Sequence, residues 1–171
     1  MNKRNRLLFK FRSMLYPAGP SGDSDRGKLY QKYLKSCGKN FKIAEQAFIY
    51  SPEKLVVGDN VYIGFSTYLG NGDIHLDDEV LIGNHVSITA ANHLRSNGSF
   101  RFGGSETKSI KVGAGTWIAA HSCITAGVSI GRGCLVAAGS IVTKNFGDNL
   151  LIAGAPAKAI REIQVGDFDG V

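Results

Sequence analysis

Among the side chains of this 171-residue sequence that can move a proton, hold a metal or attack a carbonyl, the four histidines and three cysteines bear most directly on catalysis near neutral pH. His75, His85, His93 and His121 are the candidate proton acceptors, because imidazole is the side chain whose ordinary titration range brackets neutrality. Cys37, Cys123 and Cys134 are the candidate nucleophiles, and none has a recognisable base partner nearby in sequence. Their odd number argues against a disulfide framework and suits a reducing compartment. Which of these groups could act depends on where the chain places them.

A six-residue period does the placing. Val112, Ile118, Ile124, Ile130, Val136 and Val142 form an unbroken run at that spacing. Four residues after each come Thr116, Ser122, Val128, Cys134, Ser140 and Phe146, small in all but the last. The same pattern holds at Leu76, Ile82 and Ile88 and, one residue out of phase, at Val57, Ile63 and Leu69. An extra residue therefore sits within 70–75. Ile43, Ile49 and Leu55 suggest a poorer first turn in another phase. On a helix, residues six apart point about 240° from one another, so no face would collect these aliphatics. A straight strand could not run thirty residues without a turn. Short strands separated by bends satisfy the pattern: the aliphatic points inward, the small residue fills the corner, and glycine serves the bend. Glycine, 22 of 171 residues, is well above the average of roughly 7%. Three sides close a triangle, so the expected fold is an all-β solenoid of hexapeptide repeats whose coils stack by parallel pairing. Cys134 then reads as a small core residue, and His85 and His121 both fall at outer bends.

The period stops after His93 and resumes at Val112. The segment between, LRSNGSFRFGGSETKSIK, is polar and too irregular for another coil. An extruded loop over 94–111 is expected, and a loop that long inside a compact repeat is usually functional. His93 stands at its base.

The stretch GTWIAAHSCITAGVSIGRGCLVAAGSIVTKNF followed by IAGAPAKAIREI resembles the C-terminal half of hexapeptide-repeat acyltransferases. The likeness is strongest to maltose, galactoside and nodulation-factor O-acetyltransferases and to the related xenobiotic and capsule O-acetyltransferases. It covers roughly Val57 to Ile163, and the ending is its most specific part. The resemblance implies a left-handed parallel β-helix, a short C-terminal helix, a homotrimer, and acetyl-CoA lying in a groove between adjacent prisms. It makes His93 the general base for a sugar or glycan hydroxyl. By the same resemblance Ala120 and Ala138 give backbone amides to the pantetheine arm. Thr143, Lys144, Lys158 and Arg161 lie near the adenine and phosphates, where cations suit. Asn71, Asp73, Trp117 and His121 are the candidates for contacts to the acceptor. At Ala120 some relatives carry serine, whose hydroxyl is credited with helping the oxyanion; here only a backbone N–H remains.

Other readings share the fold. An N-acetyltransferase of a nucleotide-linked amino sugar would use the same cofactor. A zinc enzyme of the γ-carbonic-anhydrase kind needs two ligands about five residues apart on its later coil, and His121 has no such neighbour, so no metal is expected. A drug-inactivating acetyltransferase and a non-enzymatic scaffold complete the set.

Charge is segregated. Through Lys42 there are eleven basic residues against Asp23 and Asp25, a balance of +9, and the remainder carries −3. The basic character belongs to a head rather than to the whole surface, which removes the main support for nucleic-acid binding. The expected organisation is a basic helical and loop segment over 1–42, a β-helix over 43–163 and a tail over 164–171. In the head, NKRNRLLFKFRSMLY interleaves cations with Leu7, Leu8, Phe9, Phe11, Met14 and Leu15. Two readings stand: an amphipathic helix packed on its own protein or a partner subunit, or one giving peripheral contact with an anionic membrane. PAGPSGDSDRG reads as a loop, and KLYQKYLKSCG as a short helix stopped by Gly38. No apolar run is long enough for a membrane span, and no signal peptide is evident, so a cytoplasmic setting is expected.

Overall fold

The computed structural model describes residues 15–168, so the amphipathic stretch through Met14 lies outside the described residues. From Ser36 onward, two- and three-residue strands alternate with bends and build three parallel sheets. Face A stacks Ser36–Cys37, Leu55–Val57, Ile74–Leu76, Ile110–Val112 and Ser129–Ile130. Face B stacks Lys42–Ile43, Tyr62–Ile63, Leu81–Ile82, Trp117–Ile118, Leu135–Val136 and Leu150–Gly154. Face C stacks Phe48–Ile49, Tyr68–Leu69, Ser87–Ile88, Cys123–Ile124 and Ile141–Val142. The chain visits A, B and C in turn, so each circuit is one coil of a triangular prism.

The hexad period is visible as burial. Ile43, Ile63, Ile82, Ile118, Val136 and Ile152 of face B are all fully buried and form one column inside the prism. Each such side chain contributes about 1.5–3 kcal/mol on leaving water. The small residues of the corners are buried with their polar atoms satisfied. The Thr116 hydroxyl donates to the Gly131 carbonyl at 2.8 Å and accepts the Cys134 N–H at 3.1 Å. The Ser122 hydroxyl donates to the Ala137 carbonyl at 3.1 Å.

Every departure from the period falls at one edge, the corner leading from face C to face A. Coils one and two pair with an offset of 20 (Lys42 with Tyr62), coils two and three with 19 (Tyr62 with Leu81), coils three and four with 36 (Leu81 with Trp117), and coils four and five with 18 (Trp117 with Leu135). The two extra residues occupy a 3-10 turn at Pro52–Lys54. The single extra residue sits at Asn71–Gly72, inside the expected interval, where Gly72 has φ 107°. The eighteen inserted residues form a hairpin. Its arms, Ala91–His93 and Ser105–Thr107, pair antiparallel, and 94–104 between them are turns and bends, so the expected loop stands on a short β-hairpin base.

Two further expectations are corrected. The segment read as a loop, with the short helix placed after it, is instead one helix, α1, over Pro20–Gln31, and Ser36–Cys37 already belongs to the first coil. Pro20 occupies its first turn with Asp23, and Lys28 its last, which complements the helix dipole. Its glycines permit close docking: a methyl at Gly22 or Gly27 would run into the carbonyl of Pro17 or Phe41. The buried Arg26 completes the anchor, with Nε donating to the Ile43 carbonyl at 3.0 Å, Nη1 to the Tyr16 carbonyl at 3.1 Å, and an ion pair to Asp23. The expected C-terminal helix is absent among the described residues. Leu150–Gly154 extends face B beside Leu135–Val136, the chain turns at Gly154, and Ala157–Glu162 returns antiparallel. A helix there would have left the last parallel strand with an unpaired edge.

Candidate functional site

The corner from C to A gathers three of the candidate residues. His93 ends the first arm of the hairpin, exposed, opposite Ser105. Asn71 is half-buried, and its Oδ1 accepts the Ser51 hydroxyl at 3.0 Å. Asp73 faces Lys35 at 3.5 Å, while its carbonyl accepts the Ile110 N–H at 3.0 Å. Gly72, between them, packs on the hairpin base. A Cβ there would stand 2.7 Å from the Ala90 Cβ and 3.3 Å from the Thr107 Cβ. The corner therefore sets a possible proton acceptor above an amide and a carboxylate, a composition suited to a polyhydroxyl ligand.

The corner from B to C carries a different set. Here an asparagine or aspartate on one coil caps the backbone of the coil beneath. The Asn84 Oδ1 accepts the Phe65 N–H at 3.0 Å, as Asp78 does for Asp59 at 2.7 Å on the A-to-B corner. The equivalent positions above Asn84 are Ala120 and Ala138, whose side chains hold no oxygen. Among the described residues, the N–H groups of Asn84 and Ala120 accordingly have no acceptor, and neither has that of Ala138, above which stands Gly154. Three successive coils thus present unpaired amides along one edge, and at Ala120 and Ala138 methyl side chains leave the backbone open. A narrow ligand carrying carbonyl groups fits such a ladder.

His121 follows Ala120 with φ 61°, and its ring stacks on that of His85 at 4.9 Å between centroids and 10° between planes. Phe65 meets His85 edge-on at 5.4 Å. Trp117 points outward from face B between Leu81 and Leu135, 45% exposed. Asn84 carries no candidate role in the sequence reading, and His85 enters it only as one of four histidines, at an outer bend. Their shared signal is the recurrence of polar residues at the third and fourth places of successive hexads.

The candidate phosphate ligands sit at the C-terminal end of the prism. Thr143 and Lys144 follow Ile141–Val142, the last strand of face C, with the Lys144 ammonium 5.6 Å from the Phe146 ring centroid. Lys158 and Arg161 are exposed on the returning arm of the terminal hairpin. Arg161 is already engaged, donating to the Glu162 carbonyl at 2.9 Å and to the Asp167 carboxylate.

The candidates thus divide between two edges. His93, Asn71 and Asp73 lie at one end of face C, and Ala120, Ala138 and His121 at the other. One six-residue side separates them, on the order of 15–20 Å. Burial pushes all three thiols up from their usual range, the reverse of an activated nucleophile. The Cys134 thiol is 2% exposed and donates to the Gly147 carbonyl at 3.1 Å, consistent with a core role. Among the described residues no three His, Cys, Asp or Glu side chains are grouped to hold a metal, and no helix is long and apolar enough to cross a membrane.

Known proteins share this architecture. The bacterial transferase hexapeptide family, a six-repeat pattern, matches residues 109–144. Galactoside O-acetyltransferase of Escherichia coli (strain K12) is 30% identical over 154 residues, covering 86% of this chain and 73% of that protein. A galactoside acetyltransferase solved in complex with coenzyme A superposes with a TM-score of 0.84 at 26% identity, over 96% of this chain and 82% of its own. An N-acyltransferase mutant from Bacillus cereus, solved with dTDP-4-amino-4,6-dideoxyglucose and coenzyme A, gives a TM-score of 0.65 at 26% identity, over 80% and 88%.

Proposed function

The chain belongs to the hexapeptide-repeat acetyltransferases, the family of the galactoside O-acetyltransferases, and on that premise we propose that it transfers acetyl from acetyl-CoA to a hydroxyl of a sugar or glycan precursor, in a cleft between neighbouring copies of a homotrimer. The observation that carries this reading is the uncapped amide pair of Ala120 and Ala138, whose N–H groups fit the thioester carbonyl and a carbonyl of the pantetheine arm. Thr143, Lys144, Lys158 and Arg161, farther toward the C-terminal end, would meet the adenine and phosphates. The thioester then lies toward the coil that sends out the hairpin. Because one chain holds its ladder and its His93 at opposite edges of face C, a neighbouring copy is needed to complete the cleft, which supports the trimer.

In the cleft His93 takes the hydroxyl proton as the acceptor oxygen attacks the thioester carbonyl. A backbone N–H receives the charge that develops on the carbonyl oxygen, and the protonated imidazole returns its proton to the departing thiolate. Asn71 and Asp73 orient the acceptor beside the hairpin base, and Trp117 and His121 line the opposite wall. His93→Ala should lower turnover about 10²–10⁴-fold with coenzyme affinity nearly unchanged, and near-normal turnover would overturn the assignment.

A second reading, transfer to the amine of a nucleotide-linked sugar, is supported by the Bacillus cereus N-acyltransferase fold. Product analysis with matched hydroxyl and amine acceptors separates the two.

A further inference from the structure

We propose that the His121 imidazole, stacked on His85 beside the unpaired Ala120 amide, supplies the second hydrogen-bond donor to the oxyanion formed from the thioester. The inference rests on the acetyl-transfer reading above and goes beyond it by giving that intermediate a side-chain ligand.

A single amide is a poor oxyanion site, since such sites ordinarily converge two donors on one oxygen. Ala120 offers its N–H and no side-chain donor, and the other unpaired amides of this corner, Asn84 and Ala138, lie a full coil away, about 4.8 Å along the prism axis, so a second donor beside it must come from a neighbouring side chain. His121 is the next residue. Its own N–H is committed to the Asn84 carbonyl at 3.1 Å, which fixes the backbone and leaves the ring as the available donor. Among the described residues, the ring nitrogens of His85 and His121 have no hydrogen-bond partner, and both side chains are exposed. A lone exposed imidazole would sample several rotamers, and its immobilisation would cost entropy at the moment of reaction. Here the ring is held in advance, 4.9 Å from His85 and nearly parallel to it, with Phe65 closing the column edge-on at 5.4 Å. Preorganisation is what makes a hydrogen-bond donor effective toward developing charge.

The backbone alone does not explain the pair. Both residues have positive φ, 57° and 61°, a conformation that glycine or asparagine adopts at least as well. Gly139 takes the same place one coil later, with φ 71°. The axial level also fits. His85 belongs to the coil that sends out the His93 hairpin, and His121 to the next coil toward the coenzyme end.

In the step itself, the acceptor oxygen bonds to the carbonyl carbon and the π pair moves onto the carbonyl oxygen. That oxygen accepts hydrogen bonds from the Ala120 N–H and from a ring N–H of His121, which a neutral imidazole already carries. No proton changes hands at this oxygen. When the pair returns, the carbon–sulfur bond breaks and the thiolate leaves.

The test uses slow hydrolysis of acetyl-CoA by the full-length protein, where water replaces the acceptor and the same oxyanion forms. His121→Ala should lower kcat about 100-fold while KM for acetyl-CoA stays within about twofold. Adding Ala120→Ser to that variant places a hydroxyl beside the amide and should recover about tenfold in kcat, a rescue that a merely structural role would not give. A kcat within about threefold of the parent, a loss confined to KM, or no recovery with serine would each overturn the proposal. His93→Ala reports separately: unchanged acetyl transfer there defeats the general-base reading whatever His121 does.

Discussion

The Asn84 side chain accepts the Phe65 N–H at 3.0 Å, closing the corner beneath it. Alanine at 120 and 138 withholds that cap from the next two corners, and the opened edge is where a coenzyme can bind. If the reading is right, restoring a cap should close it. Ala138→Asn is expected to satisfy the Ala120 amide as Asn84 satisfies Phe65, in a position already exposed to solvent. Because the Ala120 N–H is the amide assigned to the oxyanion, kcat should fall about 10²–10³-fold, with a melting temperature within about 3 °C of the parent. Steady-state acetyl transfer and a thermal melt measure the two effects independently.

The helix that anchors the first coil makes stability sensitive to high pH. Tyr30 on α1 is 6% exposed, and burial pushes its hydroxyl up from 10.0 to about 12, against a smaller opposing pull from Arg26. Below pH 10 the phenol is neutral whether the chain is folded or not, and its titration costs nothing. Between pH 10 and 12 the unfolded chain releases this proton while the folded chain keeps it, so stability falls as pH rises. The loss assigned to this one group is roughly 2–3 kcal/mol. Tyr30→Phe should remove that part of the alkaline slope in denaturant melts across this range. An identical slope in both proteins would refute it.

How far the molecule could be read in advance depended on which force shaped each part. The prism was legible because one aliphatic per hexad must point inward, and the columns through Val136, Val142 and Ile130 do so. The phase slip was legible for the same reason: a single added residue at Gly72 moves every later aliphatic. Helix α1 was not, because Pro17, Gly19, Pro20 and Gly22 carry turn chemistry, and tertiary contacts through Gly27 and Arg26 override it. The terminal hairpin was missed because Ala157–Glu162 is fixed by an open sheet edge, and local sequence does not display an edge. The His85–His121 stack was hidden for a related reason. Residues 36 apart become neighbours only once the eighteen-residue hairpin is excluded from the count.

Gly72 couples the phase slip to the hairpin, so it should be the most fragile point near His93. Ala there meets both a φ of 107° and the Ala90 Cβ at 2.7 Å. Left-handed strain of about 1–2 kcal/mol and overpacking of about 1–3 kcal/mol combine. Gly72→Ala should therefore cost about 2–5 kcal/mol in urea unfolding. The neighbour able to yield is the hairpin base, so turnover should fall more than coenzyme binding. Unaltered kcat in a folded Gly72→Ala protein would show that the hairpin does not depend on this contact.

The proposed cleft, divided between copies of a trimer, would make a quantitative demand on mixed assemblies. One variant, His93→Ala, keeps its amide ladder and lacks the base. Another, Ala138→Trp, keeps the base and carries a bulky ring across its own ladder. Each alone should be nearly inactive. In trimers reassembled at random from equal amounts, one cleft in four pairs an intact base with an intact ladder from the adjacent copy, so activity should recover to about a quarter of the parent value. If base and ladder of the same chain formed the site, every cleft in the mixture would contain a defect and mixing would recover nothing. Thiol release from acetyl-CoA, measured before and after reassembly and normalised to trimer concentration, decides between the two arrangements.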